Sequence, residues 1–362
     1  MQGRNITHII RRFATNLLFA MVACVLAVSC DVHEFPDDDA TVPMHLHLQF
    51  HTDMTQSEYI NNTQQYGYPS LKAGANARMR YVIRFYDSDN DARASVSSKF
   101  REYVFERNVE GDYDSDFVLD VVPGNYTIMA WADFVESTEN DGYFYDVSDF
   151  SDITKLKPHI GNTDLVDAFR GSAAISEMQI LSNKAPVVEM ERPLAKYEFI
   201  SNDLREFLEQ ESQAATKAER ENGSETPDDT NHEPTRGGID INDYKVMFYY
   251  SGYMPNVYNM FTDKPVDSVV GVAFEGKLNK LTDDEISLGF DYVMVNHMET
   301  SITLRIAILN SAGQQVSLTN PINVPIKRSN HTVVKGRFLM EKASGNVGID
   351  PDYDGDYNII IK

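Results

Sequence analysis

The chain has 362 residues, with 32 Lys+Arg against 55 Asp+Glu and a formal net charge of -23. A field of that sign repels nucleic acid and anionic lipid headgroups, so neither is a charge-steered partner. Aromatic residues at 11% and apolar residues at 42% exclude a disordered chain, and two cysteines, both before position 31, exclude a disulfide framework for the rest.

Arg4, Arg11 and Arg12 are the only charges before Asp31, and "LLFAMVACVLAV" (Leu17 to Val28) is apolar throughout. A basic start, a short apolar run and small residues beyond it make a secretory signal. The run is too short to span a bilayer, which takes about 20 apolar residues. A buried N-terminal helix is the other reading. Ala27 and Ser29 lead into Cys30. This resembles a bacterial lipobox, in which the cysteine thiol receives a diacylglycerol and becomes the first mature residue. The usual leucine three places before the cysteine is Ala27 here, with Leu26 one step earlier. Cys24 is the competing site, but it leaves only Leu17 to Ala23 as the apolar run. The reading is a signal peptide over 1–29, lipid on Cys30 and an acidic tether over 30–41. Asp37 to Asp39 in that tether resemble the acidic export signals of surface lipoproteins in the Bacteroidales.

From Val42 the pattern alternates. "MHLHLQF" sets Leu46, Leu48 and Phe50 against His45, His47 and Gln49. His45 and His47 share a face, with His51 farther along; that spacing either offers two imidazoles to a metal or leaves solvent-facing histidines. No acidic partner for them is visible in sequence. "RMRYVIRFYD", "KFREYVFERNV" and "DFVLDVVPGNYTIMAWADF" read as further strands, punctuated by "DSDND" and "EGDYDSD". Pro123-Gly124 is expected to make a tight turn, with a positive φ at Gly124 if the turn is type II. In the strand that follows, Tyr126, Ile128 and Ala130 alternate with Thr127, Met129 and Trp131, which makes the single tryptophan a core or inter-sheet residue of the first sandwich.

"VEMERPLAKYEFI" (Val188 to Ile200) reads as one more strand, and Asp203 with Glu206 as a capping pair opening a helix of two to five turns. Glu221 to Gly238 contains no large apolar residue and reads as a flexible linker. A second strand-rich unit follows in "YKVMFYYSGYMP", "GVAFEGKL", "ISLGFDYVMVN", "SITLRIAIL", "INVPIKR" and "TVVKGRFLM", with "NSAG" at 310–313 as a hairpin turn. The expected division is a first β-sandwich over 42–220 with a C-terminal helix, a linker over 221–238, a second sandwich over 239–345 and an acidic tail over 346–362.

Near the end, "DPDYDGD" places Asp350, Asp352 and Asp354 ahead of Gly355, the opening of a calcium loop. The twelfth position is Ile361, so the bidentate acid of an EF-hand is missing, and an acidic surface turn is the other reading. No G-x-S-x-G, H-E-x-x-H, P-loop or dinucleotide fingerprint occurs. The expectation is no catalytic residue, no enzyme and no cofactor beyond that calcium candidate.

"VVPGNYTIMAWADF", "DAFRGS" (Asp167 to Ser172) and "ERPLAKYEFI" resemble motifs of fimbrillin-type surface lipoproteins of the Bacteroidales, a group that includes fimbrial anchor subunits. "LGFDYVMVN", "INVPIKRSNHTVVKGRFLM" and "VGIDPDYDGDYNI" resemble a related lipoprotein family without assigned function. The resemblance implies a mainly β chain with two antiparallel, transthyretin-like β-sandwich domains on an outer-membrane lipid anchor, exposed at the cell surface. It implies partners among other surface or fimbrial proteins, in adhesion or fimbria-like assembly. Carbohydrate binding in a glycan-uptake system is the alternative. The ligand-binding residues stay unassigned at this stage.

Overall fold

The computed structural model describes residues 40–58, 78–88, 99–108, 113–135, 142–156, 159–221 and 239–340. Cys24, Cys30, the linker at 222–238 and Asp350, Asp352 and Asp354 lie outside them.

The chain is mainly β, and the described residues form five sheets. Sheet I has the order β10 (Val187–Met190), β1 (Val42–Phe50), β5 (Ser115–Val121). Sheet II has the order β4 (Phe100–Asn108), β3 (Arg78–Asp87), β6 (Tyr126–Val135), β9 (Ala168–Ile175). Their facing sides enclose the first core. The alternation of β1 fills it with Met44, Leu46, Leu48 and Phe50, opposite Tyr81, Ile83 and Phe85 of β3 and Ile128, Ala130 and Ala132 of β6. The short helix α1 (Glu177–Leu181) adds Ile180.

Sheet IV runs β16 (Asn279–Lys280), β17 (Ile286–Met294), β11 (Leu194–Ser201), β21 (Asn330–Gly336), β2 (Thr55–Glu58). Sheet V runs β15 (Ala273–Glu275), β12 (Lys245–Tyr250), β18 (Thr300–Leu309), β19 (Gln315–Leu318), with β20 (Ile322–Ile326) also on β18. Between them lies the second core, built on Tyr197, Phe199, Phe248, Leu288, Leu304, Ile306 and Val324. Asn310 joins β18 to β19 as the sequence suggested: its side chain accepts from the amides of Ala312 and Gln314, and Gly313 has φ 75. Sheets II and V are antiparallel, whereas sheets I and IV also hold the parallel pairs β1–β10, β11–β21 and β2–β21.

A third core joins the two sandwiches. Val82, Met129 and Trp131 on the outer side of sheet II meet Leu194, Tyr292 and Met294 on the outer side of sheet IV. Sheet III, ordered β14 (Lys264–Val269), β13 (Met254–Asn259), β8 (Ile153–Lys155), β7 (Tyr145–Asp146), closes this junction with Tyr145, Ile153 and Tyr258. It is itself composite, because β8 pairs with β13 across more than a hundred residues of chain. Trp131 is fully buried here, its ring edge-on to Tyr145 at 5.4 Å. It therefore faces away from the first sandwich core in which it was expected. β3 and β6 are covered on both faces, so they are buried along nearly their whole length, Arg80, Arg84 and Asp133 included.

Polar contacts tie the same junction. Asp263, in the β13–β14 turn, receives Arg170 of β9, Arg328 ahead of β21, His297 and the Tyr258 hydroxyl. Burial pushes its carboxyl up, but the bonds from Arg328 and Tyr258 and the charge of Arg170 outweigh this and leave it below the ordinary value. Asn162 inserts beside the bulge at Gly289, whose φ of 141 only glycine tolerates readily. There Asn162 donates its backbone N–H to Phe290 O (2.8 Å) and accepts from the Phe290 amide through its side chain (3.0 Å).

Four local expectations are corrected. β5 and β6 belong to different sheets, so the turn at Pro123-Gly124 carries the chain from one sheet to another, and Gly124 has no positive φ, which excludes the type II form. A Cβ at Gly124 would stand 2.9 Å from the Tyr126 hydroxyl, which donates to Val122 O (2.9 Å), so the glycine makes room for a tyrosine folded back on the turn. Val188 to Ile200 is two strands, β10 and β11, because Arg192-Pro193 carries the chain from sheet I to sheet IV. With β11 goes the helix α2 (Leu204–Glu221): both were assigned to the first sandwich over 42–220, yet Leu204 and Phe207 pack in the second core. Asp203 stands at the start of α2, its backbone O accepting from the Phe207 amide (3.0 Å), but its side chain does not cap the helix. Its carboxylate accepts from the Ser201 hydroxyl (2.5 Å) and the Met340 amide (3.1 Å), while Glu206 pairs with Arg337.

Candidate partner-binding edge

A sheet edge offers a row of unpaired N–H and C=O groups, and proteins ordinarily blunt such rows. Among the described residues most edges here are blunted. β5 is capped from the side: Tyr103 OH donates to Asp120 O (2.6 Å) and Arg107 Nη1 to Asp116 O (2.9 Å). β9 is closed by backbone bonds between Arg170 and Glu191 (2.8 and 2.9 Å). β14 carries Pro265 and its pairing is twice out of register. β2, β7, β10, β15, β16 and β19 have two to four residues each, and β20, with 5, carries Pro325 and is buried at all but Asn323.

β4 is the exception. It has 9 residues, pairs with β3 in an unbroken register from Arg78↔Asn108 to Tyr86↔Phe100, and has no strand beyond it among the described residues. Its side chains are anchored on both faces. On one, Glu102 accepts from Arg84 Nε (2.7 Å), and Glu106 takes Arg78 and the Tyr143 hydroxyl. That bond to Glu106, then burial, holds the Tyr143 phenol above its ordinary value. Arg84 is fixed in turn by the carbonyls of Val147 (3.0 Å) and Ser148 (2.9 Å) and by the face of Phe150 (4.1 Å). On the other face, Tyr103 lies edge-on to Phe85 (5.6 Å), Phe105 against Phe117 (4.8 Å), and the Arg107 guanidinium 4.0 Å over Phe117. The strand is thus anchored from both faces, while Phe100 and Val104 stay 47% and 53% exposed. Such an edge can add a strand from another chain by main-chain hydrogen bonding, with alternate side chains giving selectivity.

The histidines lie on the outer side of sheet I. His45 is exposed; His47 Nδ1 donates to Asp116 (2.9 Å) and His51 Nε2 to Glu189 (2.6 Å). The acids invisible in sequence come from β5 and β10, and they pair the imidazoles singly. No group of three or more His, Cys, Asp or Glu is placed to hold a metal ion among the described residues. Nor is any helix among them long and apolar enough to cross a membrane. The β4 edge itself was not singled out by sequence. Its only signal is a strand pattern with apolar residues on both faces beside a charge at nearly every other position.

These features define a mainly β protein of two sandwiches sealed through a shared core. Residues 38–362 match the sequence model of a family of unknown function, DUF6562, and the chain belongs to that family. No curated protein matches it. Solved structures with similarity include the fimbrial anchor protein Mfa2 from Porphyromonas gingivalis (12% identity, 76% of this chain and 82% of that one, TM-score 0.35). A fimbrial assembly protein from Parabacteroides distasonis matches at 10% identity, 82% and 91% coverage and TM-score 0.33. A protein from Bacteroides ovatus described as a candidate adhesin matches at 11% identity, 80% and 79% coverage and TM-score 0.39.

Proposed function

We propose that this protein is carried on the outer membrane by lipid on Cys30, exposed at the cell surface, and acts by protein–protein contact in adhesion or fimbria-like assembly. The observation that carries the reading is the outer edge of β4, long, in unbroken register with β3 and unpaired among the described residues. The fimbrillin-like motif around Trp131 and the lack of any catalytic pattern in the sequence support the same reading. In it, β4 receives an extended segment of another surface protein.

A photoreactive amino acid at Val104 tests the edge on intact cells. Crosslinked peptides from another surface protein are expected, at a yield well above that of the same probe at Met178, which is 79% exposed but off the edge. Recovery of monomer alone, from cells that make surface fibres, would overturn the assembly reading. The anchor has a separate test. Cys30→Ala is expected to release the protein from the membrane fraction, and unchanged retention with Cys24 intact would refute lipidation at Cys30.

A further inference from the structure

β4 reads nearly the same from either end. About Val104, Tyr103 mirrors Phe105, Glu102 mirrors Glu106, and Arg101 mirrors Arg107. This bears on which chain can add to the edge, and it rests on the reading of that edge as the contact site.

Two copies of this protein could join β4 to β4 only about a two-fold axis normal to the sheet, which makes the strands antiparallel and sets residues of the same face opposite each other. Full overlap of the 9 residues puts the axis through Val104. Arg101 then stands directly opposite Arg107 of the second copy, and Glu102 opposite Glu106, each pairing occurring twice. Like charges directly opposite destabilise a strand pair. The glutamates are partly neutralised within the chain by Arg84 and Arg78. Among the described residues the arginines are not: Arg101 is exposed, and Arg107 meets only the rings of Phe117 and Phe105 and a carbonyl oxygen. A register slipped by two residues puts Arg101 opposite Phe105, or Arg107 opposite Tyr103, and shortens the ladder. The same charges favour a different occupant.

We propose that β4 excludes a second copy of its own chain and accepts an extended segment of another protein with Asp or Glu at two positions six apart, opposite Arg101 and Arg107, and an apolar residue midway, opposite Val104. The edge is open, but it selects by charge.

The test uses the full chain on intact cells with Val104→Cys as the reporter, since residues on the two-fold axis come within disulfide range of each other. Val104→Cys alone is expected to give little covalent dimer under mild oxidation. Adding Arg101→Glu sets Glu opposite Arg107 at both ends and is expected to raise the dimer about tenfold, two repulsive pairs becoming attractive ones. Adding Arg107→Glu as well sets Glu opposite Glu and is expected to return the yield to the starting level. An abundant dimer from Val104→Cys alone, or a series with no dependence on Arg101, would overturn self-exclusion. So would equal dimer from a Met178→Cys control. If the series behaves as expected but the photoprobe at Val104 captures no other protein, self-exclusion stands and the contact reading falls. If the probe captures a protein, its crosslinked segment should show the acidic pair six apart, and Arg101→Glu/Arg107→Glu should cut capture at least severalfold. A captured segment without that pair, or capture indifferent to the double reversal, would overturn the selectivity.

Discussion

Trp131→Ala is expected to destabilise the protein by about 3–5 kcal/mol, the range for emptying a large aromatic from a closed site. The indole is fully buried and is wedged between Tyr145 and Tyr258, the latter at 6.4 Å between ring centres. These neighbours hang on sheet III, which is paired from both halves of the chain, so they cannot collapse into the void without moving the junction. The loss should therefore change the form of unfolding as well as its midpoint. The wild type is expected to unfold in one denaturant transition by circular dichroism. The variant is expected to show two, as the sandwiches lose the core that couples them. A wild-type tryptophan emission maximum typical of an exposed indole would contradict the burial. A single unshifted transition in the variant would contradict the coupling.

Arg192→Met is expected to cost about 3–5 kcal/mol, as for removal of one member of a buried ion pair. Arg192 and Asp167 are both fully buried. Nε of Arg192 reaches both carboxylate oxygens (3.0 and 2.8 Å), Nη1 donates to Thr52 O (2.6 Å), and the guanidinium lies 4.6 Å over Phe169. Burial holds the Asp167 carboxyl above its ordinary value even with the Arg192 charge and hydrogen bonds pulling it down. Without Arg192 only the upward push and the Ala168 amide remain. A carboxyl whose folded value is raised binds its proton more tightly in the folded state, so stability grows as pH falls through that raised value and levels off below the unfolded value. The deficit of Arg192→Met should thus shrink toward acid pH. Asp167→Leu together with Arg192→Met should recover most of the stability, because neither charge is then left alone. A double variant as unstable as the single one, or a deficit flat with pH, would show that Arg192 acts through packing alone.

Strands whose alternation points into one core were legible: β1 shows its buried face residue by residue, and the hairpin at Asn310 is written in its turn. Burial of Trp131 was legible too, but its neighbours were not, since β6 has apolar residues on both faces and nothing local says which core each face meets. Sheet changes were invisible for a related reason. The strand pattern runs on through Arg192-Pro193, and Pro123-Gly124 looks the same whether the next strand returns to the same sheet or crosses. The composite sheet could not be foreseen because β7 and β8 are 2 and 3 residues long, too short for a period. The open edge of β4 depends on what every other strand pairs with, which is a property of the whole topology. Cys30 and the acidic run at 350–356 lie outside the described residues, and their readings stand on sequence.

The interleaving of the two halves sets a timetable for biosynthesis. β2 pairs with β21 and β8 with β13, so strands made early wait for strands made late. At ribosomal speeds of about 5–20 residues per second, the interval between Glu58 and Asn330 is on the order of tens of seconds. For that time the outer face of sheet II, with its tryptophan, has no cover from sheet IV. A nascent chain is therefore a sticky intermediate until the strands that end near residue 336 have been made.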